Sequence, residues 1–452
     1  MSLGLNFVSK GSGLTQAKTG RDAASHPVGR RAWVSLIVVG LVGSIAFTVE
    51  GMYLNLFVYN TISTDPHLLA TMVAASAVAA TVGTLLFGAL SDRLGRRRAF
   101  IALGFVLWGV AMAAFGFVSV DRVEGILAVS DAVIATMLVM ILVNCLVSFF
   151  GSGAFSAPFM AWVTDVTDRG NRGRVETVLV VFPPLSILIA LAALDGLARA
   201  EHWRALFLLA GGVMCLAGVV AWFVVRDAPA LEPQRDGLLR ALVHGLRPST
   251  VRRNPRLYLA LVAYAVLGIS TQIFLPYLLI YIQHYLKLEG YALLVGIALL
   301  GASTLSILGG RVIDRLGKRA VLLPAAAIYA IGLVWMFLAR ETVPVVLAGI
   351  VVMTGYMLLL GTIGGLVRDY TPPDRVGSVQ GVRTVLASLP PSLLGPFIGA
   401  AVIAGNSHYY QELGVLKNVP TPDIFLAAAI TLALVIVPVL FLRRAEARVA
   451  AR

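Results

Sequence analysis

Charge is what this sequence has least of. Only 13% of its 452 residues are Asp, Glu, Lys or Arg, about half of the ~25% that a water-facing domain carries. That deficit excludes a soluble globular protein, and a hydrophobic content of 58% excludes disorder. Cysteine is nearly absent too: Cys145 and Cys215 both lie in apolar segments, so no disulfide framework is implied. The apolar segments are continuous and not alternating, which excludes a β-barrel. There is no G-x-x-x-x-G-K-(S/T), no H-E-x-x-H and no G-x-S-x-G, and the six His sit in tails, loops or segment ends. The chain is therefore expected to be no enzyme and to hold no metal or cofactor. No secretory signal is expected either, because the polar, basic start is followed by an apolar stretch too long for a signal core.

What is there is twelve apolar runs long enough to cross a bilayer. They fall at 33–59, 68–90, 99–120, 132–162, 176–198, 205–225, 258–286, 291–310, 320–339, 344–367, 376–404 and 423–442. The fold class expected is an all-α membrane protein of twelve transmembrane helices in two six-helix bundles. Residues 1–32 form an N-terminal tail, 33–225 the first bundle, 226–257 a basic linker, 258–442 the second bundle and 443–452 a C-terminal tail. Gly151, Gly153 and Pro158 threaten the continuity of the fourth run, although one long helix keeps the charge pattern consistent.

The charges are sorted by side. With the N-terminus placed inside, all but six of the 36 Lys and Arg fall on the inner loops and tails. The exceptions are Arg122, Arg199, Arg204, Lys287, Arg340 and Lys417. This satisfies the positive-inside rule, with both termini cytoplasmic in a cell membrane. The net charge of +13 thus reflects topology, and with no basic-aromatic module no nucleic-acid partner is expected. Within the linker, 236–246 reads either as a short amphipathic helix on anionic headgroups or as a solvated basic segment.

One loop occurs twice. After the second run the chain reads Gly88-Ala-Leu-Ser-Asp92-Arg93-Leu-Gly95-Arg96-Arg97, and after the eighth Gly310-Arg-Val-Ile-Asp314-Arg315-Leu-Gly317-Lys318-Arg319. A second pair follows: the segment from Asp165 to Glu176 aligns without gaps on that from Asp369 to Gln380. One half is a structural copy of the other. A turn this tight needs Gly95 to accept positive φ or close backbone approach. Asp92 is placed to accept from the free N–H groups of a neighbouring helix start, and Arg93, Arg96 and Arg97 can pair with Asp165 or Asp168.

With this doubled loop and twelve runs the chain resembles the major facilitator superfamily of secondary transporters, whose G-x-L-(A/S)-D-R-x-G-R-R signature residues 88–97 match throughout. The resemblance covers everything but the tails. It implies two bundles related by a pseudo-two-fold axis, a cavity at their interface, and a cytoplasmic gate. That gate would set Asp92 against the start of the eleventh helix near Val376, and Asp314 against the start of the fifth near Glu176. Gly88, Gly95, Gly310, Gly317, Arg315, Lys318, Asp369 and Arg383 belong to the same gate, with Arg383 expected to pair with Asp369 or approach the gating loop.

Two acids lie within the runs. Asp195 is near an end and reads as a solvated helix terminus. Glu50 is deeper, with no Lys or Arg at its level, and a carboxyl there is a candidate for carrying a proton or binding a cation; the competing reading is a structural hydrogen bond. At 100° per residue Glu50 and Asn55 diverge, so both face the cavity only if the helix is broken between them. By the resemblance, the first, fourth, seventh and tenth helices line the cavity, making Asn55, Asn144, Gln272, Tyr277 and Tyr356 candidate substrate contacts. Helix–helix hydrogen bonding is the competing role for each. Pro276 removes a backbone bond in the seventh helix and permits bending there. The fourth and fifth helices lack the Arg and Gly-Pro patterns of the family's drug antiporters. The leading expectation is a monomeric proton- or cation-coupled symporter of a small neutral or weakly polar solute such as a sugar or metabolite. Export of drugs or metabolites is the alternative, and a non-transporting receptor or scaffold a second one.

Overall fold

A computed structural model describes residues 29–127, 131–167, 172–227, 248–288, 291–371, 376–405, 409–412 and 415–442. Among them are twelve helices long and apolar enough to cross a bilayer. In chain order they are α1 (Arg30–Thr61), α2 (Pro66–Leu94), α3 (Arg97–Phe117), α4 (Ala132–Asp165), α5 (Arg172–Arg199) and α6 (Trp203–Val224). The second six are α7 (Pro255–Tyr285), α8 (Tyr291–Leu316), α9 (Lys318–Leu338), α10 (Thr342–Tyr370), α11 (Val376–Gly405) and α12 (Asp423–Leu442). Side chains facing outward are as apolar as the core: Leu138, Leu142, Ile307, Ile331 and Ile430 are between 61% and 68% exposed. A surface of that kind suits hydrocarbon and not water. Most of the linker, including 236–246, lies outside the described residues, as do Asp168 and the side chains of Glu176, Asp314 and 376–381.

The halves repeat in their packing. In the first, α1 packs on α5 and α6, α2 on α4, and α3 on α4 and α6. Adding six to each number gives the pairs of the second half: α7 on α11 and α12, α8 on α10, α9 on α10 and α12. Of the crossings between halves, α2 with α11 and α5 with α8 are exchanged by the same operation, and α1 also meets α7. The fold is therefore two six-helix bundles related by a pseudo-two-fold.

Local chemistry sets the helix ends. Asp65 caps α2 by accepting from His67 N–H at 2.8 Å, with Pro66 as the first helical residue, and Asp131 caps α4 through Ile134 N–H at 3.1 Å. Gly95 closes α2 in the left-handed region at φ 62°, and Gly317 stands between α8 and α9 at φ 82°. Both signature glycines thus occupy backbone that a side chain would strain. Gly310 faces open space, so crowding does not require a glycine there.

α3 ends in a 3₁₀ turn at Phe115–Phe117, α12 is interrupted by a turn at Leu434 and Val435, and three other spanning helices depart from α geometry further inside. α1 has a π segment at Val49–Leu54, α4 another at Phe155–Phe159 around Pro158, and α7 a 3₁₀ turn at Leu275–Tyr277 followed by a π segment at Tyr281–Tyr285. α4 continues through its glycines and proline without breaking. One departure from an all-helical chain lies between α11 and α12, where β1 (Tyr409–Glu412) and β2 (Val415–Asn418) form an antiparallel hairpin.

Candidate functional site

Glu50 is the second residue of the π segment in α1 and turns toward α4. Ser148 Oγ donates to its Oε1, while Oε2 is enclosed without a hydrogen-bond partner among the described residues. No charged side chain among the described residues acts on it. The π segment lies between Glu50 and Asn55, so the regular helical angle does not relate them. Asn55 is 4% exposed and its Nδ2 donates back to Gly51 O at 3.1 Å. The Ser44–Thr48 edge of α1 turns to α5 instead, where Thr48 shares a 2.8 Å hydrogen bond with Ser186.

The other four candidates lie in separate environments. Asn144 is 2% exposed on α4, one turn from Ser148, with its Oδ1 unpartnered. Gln272 Nε2 donates to Ser392 Oγ on α11 at 3.2 Å. Tyr356 lies 6.1 Å from the Tyr329 ring, whose hydroxyl bonds Thr271 at 3.0 Å. Tyr277 is fully buried, and its hydroxyl reaches the Pro66 and Pro396 carbonyls at 3.1 and 3.0 Å, tying α7 to α2 and α11. Its hydroxyl thus joins the start of α2 in the first half to the interior of α11 in the second. Glu50 and Ser148 come together, with Asn144 one turn of α4 from Ser148; Gln272, Tyr277 and Tyr356 are not shown joining them in one cluster among the described residues.

On the face where α1 begins, Arg97 and Lys318 each pair within their own half. Arg97, the first residue of α3, pairs with Asp92, reaches Asp165 Oδ2 at 3.3 Å, and donates to Ser91 Oγ at 2.7 Å. Arg93 and Arg96 are exposed. Lys318, the first residue of α9, bonds Asp369 at 2.7 and 2.8 Å. Asp369 therefore belongs to Lys318 and not to Arg383, which lies over the Tyr264 ring at 5.6 Å. Asp314 and the start of α11, the expected partners in this gate, lie outside the described side chains.

Polar contacts between halves are found on the opposite face. His284 Nε2 meets Asn60 Oδ1 at 3.1 Å, the His284 ring packs on Tyr59, and Tyr59 Oη donates to Asn418 O at 2.8 Å. Asp195, expected as a solvated terminus, is only 5% exposed. It pairs with Arg199 at 2.6 Å, and Arg199 lies 5.0 Å over the ring of Tyr291 at the start of α8. Its burial comes from α8 covering the end of α5. The i, i+4 spacing of Asp195 and Arg199 was a legible signal for the pair, but nothing in the sequence pointed to Tyr291. The buried residues of α2 also crowd toward this face, from Pro66 to Ser76. This conformation is closed on the face away from the start of α1.

The sequence profile of the Major Facilitator Superfamily matches residues 36–293 and 260–452. The chain belongs to the major facilitator superfamily. As a member of it, the protein is a multi-pass membrane transporter. A search of curated proteins finds no match. Solved structures share the fold at low identity. The nucleoside transporter NupG is 13% identical, with a TM-score of 0.65 over 91% of this chain and 98% of that one. A bacterial homolog of the human lysosomal transporter Spinster is 14% identical, with a TM-score of 0.66 over 92% and 97%. The xylose transporter XylE from E. coli is 15% identical, with a TM-score of 0.63 over 91% and 97%.

Proposed function

We propose that this transporter is a symporter driven by a proton or another cation, and that it imports a neutral or weakly polar solute such as a sugar or small metabolite. The observation that carries this reading is Glu50: a carboxyl enclosed in the bundle, held by one hydroxyl and approached by no cation among the described residues. Such a group is costly at depth unless it has a function. Charge sorting supports placing the start of α1 on the cytoplasmic side of a cell membrane, which makes the closed face the outer one. One proton at about 100 mV contributes ~2.3 kcal/mol, enough for roughly fortyfold accumulation. Gln272 and Tyr356 remain candidate substrate contacts in the second half. Tyr277 is better read as part of the outer closure, because its hydroxyl is committed to backbone carbonyls of two helices.

The test is the external pH of weakly buffered inverted vesicles bearing the chain. NupG and XylE are named for nucleosides and xylose, so those solutes join neutral sugars and cationic dyes as probes. Symport predicts that adding the transported solute makes the medium more alkaline, and that Glu50→Gln removes the signal while the protein stays folded. A signal seen only with dyes, opposite in sense to dye flux, would establish an exporter. An unchanged signal in Glu50→Gln would make Glu50 structural.

A further inference from the structure

Six enclosed polar atoms of the first bundle lack a partner among the described residues, and Glu50 Oε2, Asn144 Oδ1 and Trp108 Nε1 are three of them. The first two belong together. Asn144 and Ser148 are one turn apart on the same face of α4, and Ser148 holds the other oxygen of Glu50. Cys145, next to Asn144, is within electrostatic reach of the Glu50 carboxyl. Trp108 is placed one turn further along, against Gly151, with its ring on Phe47 of α1. Buried acceptors without a donor are costly, and here two of them occupy one helix interface.

A proton on Glu50 Oε2 supplies the missing donor. We propose that Asn144 is the second half of the proton site. Its carboxamide oxygen accepts the O–H of the neutral Glu50 acid; after a half-turn about its terminal torsion, its amide donates N–H to the Glu50 carboxylate. A carboxamide is suited to this because it carries both functions and no charge. Either protonation state of Glu50 then has a partner, and the proton can be loaded from one side and released to the other. From α4 the ionisable neighbour is the Cys145 thiol, α3 presents Trp108, α5 presents Ser186 to the adjacent Thr48, and no Asp, Glu, Lys, Arg or His among the described residues acts on Glu50. A sodium ion would need a fuller shell of oxygens than Glu50, Ser148 and Asn144 provide.

This inference rests on Glu50 being the coupling carboxyl, and infrared difference spectroscopy of the chain in liposomes, acid minus alkaline, separates the two. Wild type is expected to show a carboxylic-acid C=O band that Glu50→Gln abolishes. It is also expected to show an asparagine carboxamide band that changes with it and shifts when asparagine is ¹³C-labelled. In Asn144→Leu, close in shape to asparagine, the Glu50 band persists at higher wavenumber because its O–H has lost its acceptor, and the asparagine band vanishes. A Glu50 band at unchanged wavenumber in Asn144→Leu overturns the proposal and leaves the Glu50 reading intact. So does a wild-type spectrum with no labelled asparagine band, a result that requires no variant to fold. An acid band that survives Glu50→Gln defeats the coupling reading itself, and the role of Asn144 with it.

Discussion

Of the three arginines in the first signature loop, Arg97 alone is drawn inside, 8% exposed, while Arg93 and Arg96 face outward. Its guanidinium spans Asp92, Asp165 and Ser91, a fork that a point charge cannot copy. Arg97→Ala would leave two carboxylates facing each other. The cost expected is about 2–3 kcal/mol, below that of a fully buried pair because both carboxylates keep some solvent. Arg97→Lys should recover less than half of it. Thermal unfolding of the purified chain in detergent measures both. The motif announced this cluster, but it could not say which arginine would serve. That depends on where the helix starts: Arg97 and Lys318 are each the first residue of their helix, although they are not aligned in the repeat. Two residues separate α2 from α3, and one separates α8 from α9. Asp195 teaches the converse. Its depth near a helix end suggested water, and only the approach of Tyr291 from the other half buries it.

At the scale of elements, the twelve spans were legible because length and hydropathy alone decide what crosses a bilayer. Their internal geometry was not. The π segment at Val49–Leu54 carries no proline, and it shifts the helical angle between Glu50 and Asn55 that a regular helix would set. Close helix contacts were equally hidden. A Cβ on Gly83 of α2 would meet the Phe149 carbonyl oxygen of α4, which is backbone and cannot swing away. Gly83→Val is therefore expected to separate these helices at a cost of about 1–3 kcal/mol. Gly51→Ala in α1, which faces open space, is the control and should leave stability nearly unchanged. Fluorescence-detected size exclusion after a heating series distinguishes them.

For the whole molecule, alternating access requires the outer contacts to part. Asn60 and His284 belong to opposite halves and touch at 3.1 Å. A short bifunctional thiol reagent applied to Asn60→Cys/His284→Cys should abolish solute flux, and either single variant treated in the same way should keep it. Native Cys145 and Cys215 are free thiols, and the single variants control for them. Continued flux in the cross-linked chain would mean that these helix ends do not separate during transport. The sequence by itself determined the class, the twelve crossings, the repeat and the sorting of basic residues, because each follows from transfer free energy or from local spacing along one chain. Only the tertiary structure decided that α8 covers Asp195, that Tyr277 spends its hydroxyl on carbonyls of α2 and α11, and that Ser148 of α4 meets Glu50. Those are contacts between helices distant in sequence, and helical periodicity fixes which residues share a face but not which neighbour that face will meet.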